Sequence, residues 1–152
     1  MVKEGNCILH AYTDGGSRGN PGNAAIAFAI YDDKGNVILE KSKSIGVTTN
    51  NVAEYRAMIS ALEAASNYCR DEVLCFSDSE HMVKQLNGKK KVKKLKKWFD
   101  QAKEIEKRFK KVTYSHHRRT HPRIVKVDKL VNKELNKIEK LQKWTVVSAQ
   151  KK

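Results

Sequence analysis

The sequence predicts an α/β fold in which one mixed five-stranded sheet carries helices on both faces, in the order βββαβαβα. Three apolar, β-leaning segments separated by turn residues occupy the first third of the chain, and strands joined by tight turns pair antiparallel. Farther along, apolar residues recur at helical spacing on either side of short apolar runs. Strands separated by helices join a sheet in parallel, so the complete sheet is expected to be mixed.

The first three strands are predicted, from composition and flanking turns, at residues 7–13, 24–31 and 37–45. The glycine-rich sequence TDGGSRGNPG lies between the first two strands, and we expect it to form a turn once Asp14 has closed the first strand. The sequence DKGN at residues 33–36 is a hairpin signal between the second strand and the third.

A change of period marks the first helix, because the apolar side chains of residues 52–66 fall on one helical face. The apolar run at residues 73–76 predicts a strand buried on both faces. The helix that starts at residue 79 stops at Asn87-Gly88. A strongly amphipathic helix follows, and its apolar stripe consists of Leu95, Trp98, Phe99, Ala102, Ile105 and Phe109.

The last elements are a short strand at residues 112–114, a basic loop at 116–123, and a helix with the apolar stripe Ile124, Val131, Leu135 and Ile138. Residues 1–136 are predicted to form one domain, and residues 137–152 a basic extension of the last helix. In this extension we expect Ile138, Leu141 and Trp144 to continue the helix and pack on the body. The ending TVVSAQKK is either a further strand or disordered.

The charge of the chain is strongly positive. Lysine and arginine number 31 against 17 acids, which gives a formal charge of +14 and a pI near 9.7. Such a balance attracts polyanions, with nucleic acid the first candidate and an anionic membrane surface the second. The segment from Lys89 to Lys97 concentrates this charge in a block that a phosphate backbone would neutralise.

Membrane-spanning and secreted proteins are classes that the sequence argues against. No apolar stretch approaches the roughly 18 residues that span a bilayer, and the N-terminus reaches an acidic residue and a turn too early for a signal peptide. We therefore expect a cytoplasmic monomer with no membrane partner. Cys7, Cys69 and Cys75 form no CxxC pair, and we expect all of them to be buried and reduced.

Four acids stand where the pattern would not place them: Asp14, Glu54, Asp78 and Asp128. Asp14 and Asp78 close strands, Glu54 is in line with the apolar face of the first helix, and Asp128 lies between Ile124 and Val131. A carboxylate on a buried face is costly unless it is paired, protonated or bound to a cation. Four carboxylates at one end of a sheet would repel each other, and a hard divalent cation such as magnesium or manganese would relieve that repulsion.

Ordinary structural roles remain open for three of these acids. Asp14 would then simply begin a turn. Glu54 would belong to a capping box whose N-cap is Asn51, and Asp78 would cap the helix that follows it.

Four segments resemble the type 1 ribonuclease H family. TDGGSRGNPG is similar to that family's opening strand and turn, and TTNNVAEYRAMISALEA to its first helix. FSDSEHMVKQLNG resembles its fourth strand and the helix after it, and VDKLVN resembles the helix that bears its last acid. The resemblance covers roughly residues 8–135. This chain resembles the short form of the fold, because it lacks the basic handle that well-known bacterial members insert after the second helix.

This resemblance implies an endoribonuclease that hydrolyses the RNA strand of RNA–DNA hybrids and leaves 5′-phosphate and 3′-hydroxyl ends. It implies two divalent cations, magnesium or manganese, held by Asp14, Glu54, Asp78 and Asp128, with His117 of the loop assisting catalysis. The residues expected to bind the hybrid, from the resemblance or from the lysine block, are Gly15, Gly16, Asn20, Thr49, Asn50, Asn51, Lys93, Lys94, Lys96, Lys97 and Arg118.

The sequence departs from the family at several substrate positions. Without a gap, the family's loop histidine falls on Arg118, so that His117 needs a shift of one residue and His121 is a second choice. Arg118 and Arg119 are alternatively expected to hold phosphates. Ile124 stands where many members have asparagine, and Glu80 where glutamine is common. Two other functions therefore stay open: a non-catalytic module that binds nucleic acid, and a related nuclease that also cuts double-stranded RNA.

Overall fold

The structure is a computed structural model that describes residues 6–150, with side chains described as far as residue 146. The described chain forms five strands: β1 (Ile8–Gly19), β2 (Gly22–Asp32), β3 (Val37–Thr48), β4 (Glu72–Ser77) and β5 (Lys111–His116). Its helices are α1 (Asn50–Ala65), α2 (Glu80–Leu86), α3 (Lys96–Glu106) and α4 (Pro122–Gln150). The order predicted element by element is confirmed, with the two helices α2 and α3 between β4 and β5 where the short form βββαβαβα has one.

The strands form one mixed sheet in the order β3-β2-β1-β4-β5. The β1–β2 and β2–β3 pairs are antiparallel, whereas β4 pairs in parallel with both β1 and β5. One face packs on α1 and α3 through residues such as Leu9, Met58 and Ala102. The other face packs on α4 through residues such as Ala27 and Val127. The predicted α/β fold, with helices on both faces of the sheet, is therefore confirmed.

The glycine-rich segment is a strand, and the expected turn after Asp14 is wrong. β1 continues to Gly19, because each residue from Asp14 onward pairs with β2 as far as Gly19 opposite Gly22. The turn consists of Asn20 and Pro21, joined by a cis peptide bond. Gly19 has a φ of 100°, a conformation that glycine adopts without a steric penalty. A long antiparallel partner thus outweighs the low strand propensity of glycine.

Gly15 is the point at which α1 packs closely on β1. A Cβ atom built on Gly15 would lie 2.3 Å from the backbone carbon and oxygen of Ala53. The helix begins at the N-cap Thr49, whose side-chain oxygen accepts a hydrogen bond from the N–H of Val52. The absence of a side chain at Gly15 therefore sets how near the first turns of α1 come to the sheet.

The C-terminal extension continues α4 to Gln150, so a further strand is wrong for the residues described; residues 151–152 lie outside them. Ile138 packs on the core as expected. Leu141 and Trp144 do not, because they are 66% and 69% exposed. Among the described residues, no helix has the length and apolar character needed to cross a membrane.

Polar contacts hold this extension against the β1–β2 hairpin. Arg18 forms an ion pair with Glu139 at 2.9 Å. The side-chain amide of Asn23 donates a hydrogen bond to Oε1 of Gln142 at 3.2 Å. The C-terminal part of α4 is therefore in contact with the hairpin beyond the sheet.

Two of the three cysteines form a disulfide, so the expectation of reduced thiols is wrong for Cys7 and Cys69. Cys7 immediately precedes β1, and Cys69 follows α1. The packing of α1 on the sheet brings their Cα atoms to 6.0 Å, which is within bonding reach. Cys75 is free and buried, as predicted. The expected cytoplasmic location stays a prediction.

We predict that Gly15→Ala lowers the free energy of unfolding by about 1–3 kcal/mol, because α1 must move away from β1 to admit the methyl group. Urea denaturation followed by circular dichroism measures the change. Gly16→Ala is the matched control, since its Cβ would meet nothing closer than 3.6 Å. Equal stabilities of the two variants would contradict this account of the helix–strand contact.

We predict that the denatured protein exposes one reactive thiol without a reductant and three after reduction, because only Cys75 among the described cysteines is free. Titration with Ellman's reagent counts the thiols. In the native protein the buried Cys75 thiol should react slowly in either case. Three reactive thiols in denatured, unreduced protein would show that the disulfide is not formed.

Candidate active site

The four acids selected from the sequence line one cavity of about 390 Å³ at the edge of the sheet where β4 ends. Single carboxylate oxygens of Asp14, Glu54 and Asp78 all lie within 4.8 Å of one another. Asp128 lines the same cavity from α4, outside this group of three, and its charge contributes to the raised pKa of Asp14. The residues predicted to gather in space therefore do so.

Strand register places the first pair of acids. The parallel pairing of β1 with β4 ends at Tyr12 opposite Phe76. Asp14 and Asp78 each follow two residues later, so both side chains reach the edge at equivalent positions. β1 continues beyond this point paired with β2 alone, whereas β4 stops at Ser77. The cavity opens where β1 has lost one of its two neighbours.

Glu54 reaches the same edge from the buried face of α1. Its Oε1 accepts a hydrogen bond from the backbone N–H of Gly15 at 3.0 Å. The capping-box interpretation of Glu54 is wrong, because the N-cap is Thr49 and not Asn51. Asp78 is likewise not a cap, since Ser79 caps α2 through a hydrogen bond from the N–H of Met82.

Asp128 differs from the expectation in one respect: it is exposed and not part of the buried stripe of α4. The neighbouring positions Ile124, Val127 and Val131 are buried against the sheet. Asp128 lies at the margin of that stripe, where it faces the cavity instead of the core. Asn132 orients the carboxylate by donating from its side-chain amide to Oδ2 at 3.3 Å.

Burial and mutual repulsion shift the titration of the two innermost acids. The pKa of Asp14 is raised from 3.8 to about 7, first by burial and then by the charge of Asp78. The pKa of Glu54 is raised well above 4.5 by burial and by the charges of Asp14 and Asp78. Both acids therefore favour either a proton or a bound cation at neutral pH.

A hard divalent cation fits this donor set. Oε2 of Glu54 is buried with no hydrogen-bond partner among the described residues, so an acceptor is left unsatisfied at the centre of the cluster. All the converging donors are carboxylate oxygens, which magnesium and manganese prefer over nitrogen or sulfur ligands. Asp14, Glu54, Asp78 and Asp128 are the residues that would hold such ions.

The predicted asparagines connect the hairpin to α1. Oδ1 of Asn20 accepts from the backbone N–H of Asn50 at 2.9 Å, and Oδ1 of Asn50 accepts from the N–H of Ser17 at 3.2 Å. Asn50, Asn51 and Gly16 line the cavity beside the acids, whereas Thr49 serves as the cap of α1. Gly15 also lines the cavity, but its small size is already required by α1.

The basic loop brings Arg119 to the acids, whereas the sequence favoured Arg118 for substrate binding and offered the pair Arg118 and Arg119 as an alternative. Both arginines are exposed, but Nε of Arg119 lies 3.3 Å from Oδ2 of Asp78 and Arg119 lines the cavity, whereas Arg118 does not. The only signal in the sequence was a pair of adjacent arginines before the last acid. Which of the two faces the site depends on loop geometry that residue spacing does not encode.

His117 is held beside the cavity and not within its lining. Its ring stacks on Phe76 at 4.7 Å and on His121 at 4.4 Å. Burial, followed by the charges of His121 and His116, lowers the pKa of His117 below 6.5. The catalytic role expected for His117 stays a prediction.

The lysine block surrounds the start of α3, and none of its members lines the cavity. Lys93, Lys94, Lys96 and Lys97 are all exposed. Lys96 pairs with Asp100, and Nζ of Lys97 lies 4.8 Å above the ring of Trp98. Contact of these lysines with nucleic acid stays a prediction.

Two departures from the resemblance have structural explanations. Ile124 belongs to α4 and is fully buried where the helix packs on the sheet, so this position does not line the cavity. Glu80 begins α2 and pairs with Lys84 one turn later.

Comparison with known proteins gives consistent matches. The family model described as "Reverse transcriptase-like" matches residues 12–134. Ribonuclease HI of Halobacterium salinarum is 46% identical over 80 residues, which is 53% of this chain and 40% of that protein. The bifunctional protein Rv2228c of Mycobacterium tuberculosis is 39% identical over 104 residues, 66% of this chain and 29% of that protein. The chain thus spans less than half the length of these curated relatives.

Solved structures match over most of their length. RNase H1 from Halobacterium salinarum has a TM-score of 0.81 and 36% identity, covering 86% of this chain and 98% of that one. LC11-RNase H1, solved in complex with an RNA/DNA hybrid, has a TM-score of 0.79 and 40% identity, covering 86% and 98%.

We predict that Asp14→Asn raises the free energy of unfolding at pH 8 by about 1–3 kcal/mol in the absence of divalent ions. The folded-state pKa of Asp14, about 7, lies above its unfolded value of 3.8. The stability that its proton contributes is therefore complete below pH 4 and lost as the pH rises towards 7. Asparagine stays neutral, so the advantage of the variant should appear above pH 7 and vanish near pH 4.

Addition of magnesium or manganese should reverse this order, because ions that bind only the folded state stabilise the wild type by mass action. Thermal unfolding with and without ions measures both effects. Asp33→Asn, at an exposed site at the other end of the sheet, should respond like the wild type. A variant less stable than wild type at pH 8 without ions would contradict the repulsion argument.

Proposed function

The chain belongs to the reverse transcriptase-like family as a type 1 ribonuclease H, and on that basis we propose that it hydrolyses the RNA strand of RNA–DNA hybrids. The observation that carries the proposal is the convergence of Asp14, Glu54, Asp78 and Asp128 on one cavity beside the hairpin and the start of α1. The fold match to a ribonuclease solved with an RNA/DNA hybrid supports the substrate class.

Magnesium or manganese ions, two per site, would supply activation of a water molecule and stabilisation of the departing oxygen. The four carboxylates would hold these ions, and the unsatisfied Oε2 of Glu54 marks where a cation is most needed. Attack of water on phosphorus from the side opposite the 3′ oxygen leaves 5′-phosphate and 3′-hydroxyl ends.

The chain's own residues orient the substrate. Asn50 and Asn51 lie at the start of α1 on the cavity wall, where side-chain amides are suited to a minor groove that displays 2′-hydroxyl groups. Asn20 fixes the backbone of Asn50 from the hairpin turn. The RNA strand would then be held with its phosphate at the acids and its sugars against the asparagines.

Arg119 supplies positive charge next to Asp78. A guanidinium group can donate two parallel hydrogen bonds to a phosphate group, so an arginine at this point suits a nucleic-acid backbone. We propose that Arg119 leaves Asp78 when cations bind and contacts the backbone of the RNA strand. The net charge of +14 would attract the polyanionic duplex to the protein. We propose that the protein binds the duplex as a monomer.

The prediction for activity uses labelled RNA–DNA hybrid, RNA duplex and DNA duplex, each with magnesium, manganese or a chelator. We expect cleavage of the RNA in the hybrid, dependent on a divalent ion, with 5′-phosphate ends. Asp14→Asn and Asp78→Asn should each slow cleavage by about 100-fold or more, because metal affinity depends strongly on every ligand. Asp33→Asn is the control and should cleave at the wild-type rate.

Each alternative function has its own outcome in this experiment. Tight binding of the hybrid without cleavage in either metal would indicate a binding module. Faster cleavage of RNA duplex than of hybrid would indicate the double-stranded RNA nuclease. Cleavage that survives Asp14→Asn or Asp78→Asn would exclude the metal mechanism described above.

A further inference from the structure

α4 carries a basic stripe that starts beside the acids and runs away from them along the helix. We define the α4 stripe as Lys129, Lys133, Asn136, Lys140 and Lys143, all of which are exposed. Lys129 follows Asp128 directly, and the later members recur at intervals of three or four residues. Residues at this spacing share one face of a helix.

The stripe is about 21 Å long, since it covers fourteen helical steps of about 1.5 Å. At 100° per residue its members lie about 60–140° around the helix axis from Asp128. No acidic side chain falls within this band between Lys129 and Lys143. The cavity and the stripe are therefore adjacent surfaces of the same helix.

The two acids of α4 between Lys129 and Lys143 already have partners outside the stripe. Glu139 pairs with Arg18 of the hairpin at 2.9 Å, and Glu134 pairs with Lys137 at 3.6 Å. Among the residues that the structure describes, Lys129, Lys133, Lys140 and Lys143 have no ion pair. The Arg18–Glu139 contact also joins the helix to the hairpin whose residue Arg18 lines the cavity.

A helix face that only contacts solvent does not require lysines at these regular intervals, and their mutual repulsion does not stabilise the helix. Like charges spaced four apart, as at Lys129 and Lys133, destabilise a helix by about 0.2–0.5 kcal/mol per pair. A line of phosphates removes this repulsion. A duplex strand has one phosphate per about 3.4 Å, so about six phosphates match the length of the stripe.

We propose that the α4 stripe binds the backbone of the nucleic-acid duplex that flanks the hybrid segment held at the acids. This inference rests on the proposed function, because it takes the cavity to be the place where the hybrid is cut. It adds a second contact region, so that affinity increases with the length of the duplex. The polyanion is recognised by charge, so the flank binds whatever its base sequence.

The test compares the wild type with the triple variant K133Q/K140Q/K143Q on hybrids of 8 and 30 base pairs that share one cleavage site. Lys129 is left in place because it adjoins Asp128. We expect KM for the long hybrid to rise about tenfold with kcat unchanged, and KM for the short hybrid to change less than twofold. The slope of log KM against log salt on the long hybrid should fall by up to about 2.7, because three phosphate contacts are removed.

The control is K34Q/K107Q/K111Q, which removes the same charge from exposed positions away from the cavity. Lys111 begins β5, whereas the acids lie where the parallel strand β4 ends, so the control lies at the opposite edge. Its KM for the long hybrid should stay within about twofold of wild type.

An equal rise in KM for both triple variants would overturn the proposal, since net charge alone would then explain the effect. So would an equal rise on short and long hybrids. Unchanged hybrid binding with lost binding to phosphatidylserine vesicles would assign the stripe to a membrane surface and overturn it as well. If the wild type cut neither hybrid in magnesium or manganese, the proposed function would fail instead, and fluorescence anisotropy on the uncut hybrids would still test the stripe.

Discussion

Repulsion between carboxylates at one edge of the sheet is the constraint on which the rest of the structure depends. Asp14 and Glu54 are buried next to each other, and burial raises the pKa of both. Such a pair persists only where surrounding structure holds it, and here a strand, a closely packed helix and a backbone N–H do so. The close approach of α1 at Gly15 and the early end of β4 both serve that placement. Stability is thus reduced locally where chemistry is proposed, as expected of functional sites.

Much of the site could be predicted because its residues violate local patterns. Asp14 and Asp78 end apolar runs, and a two-residue strand period brings them to one edge once β1 and β4 pair in parallel. Glu54 interrupts the apolar face of a helix that could be predicted from period alone. The order of elements followed from the same periodicities, since the chain alternates clearly between strand and helix spacing.

The remaining features depend on contacts between distant residues. The extension of β1 through its glycines is decided by backbone pairing with β2, which side-chain propensity does not report. Asp128 is exposed because the buried stripe of α4 includes Ile124, Val127 and Val131 but does not extend around the helix as far as residue 128. Arg119, and not Arg118, meets Asp78, and the conformation of the loop decides this rather than the spacing of residues in the sequence. Cys7 and Cys69 were separated in sequence by 62 positions, and only the packed helix makes them neighbours.

The Cys7–Cys69 bond divides the candidate site into two parts of different connectivity. The covalent macrocycle that it closes contains β1, β2, β3 and α1, and with them Asp14 and Glu54, whereas Asp78 and Asp128 lie downstream of it. Partial opening of the molecule would therefore tend to part the acids along the seam between β1 and β4, leaving the first two tethered. The bond limits how far Asp14 and Glu54 can move apart, whereas no covalent link other than the main chain connects either of them to Asp78 or Asp128 among the described residues.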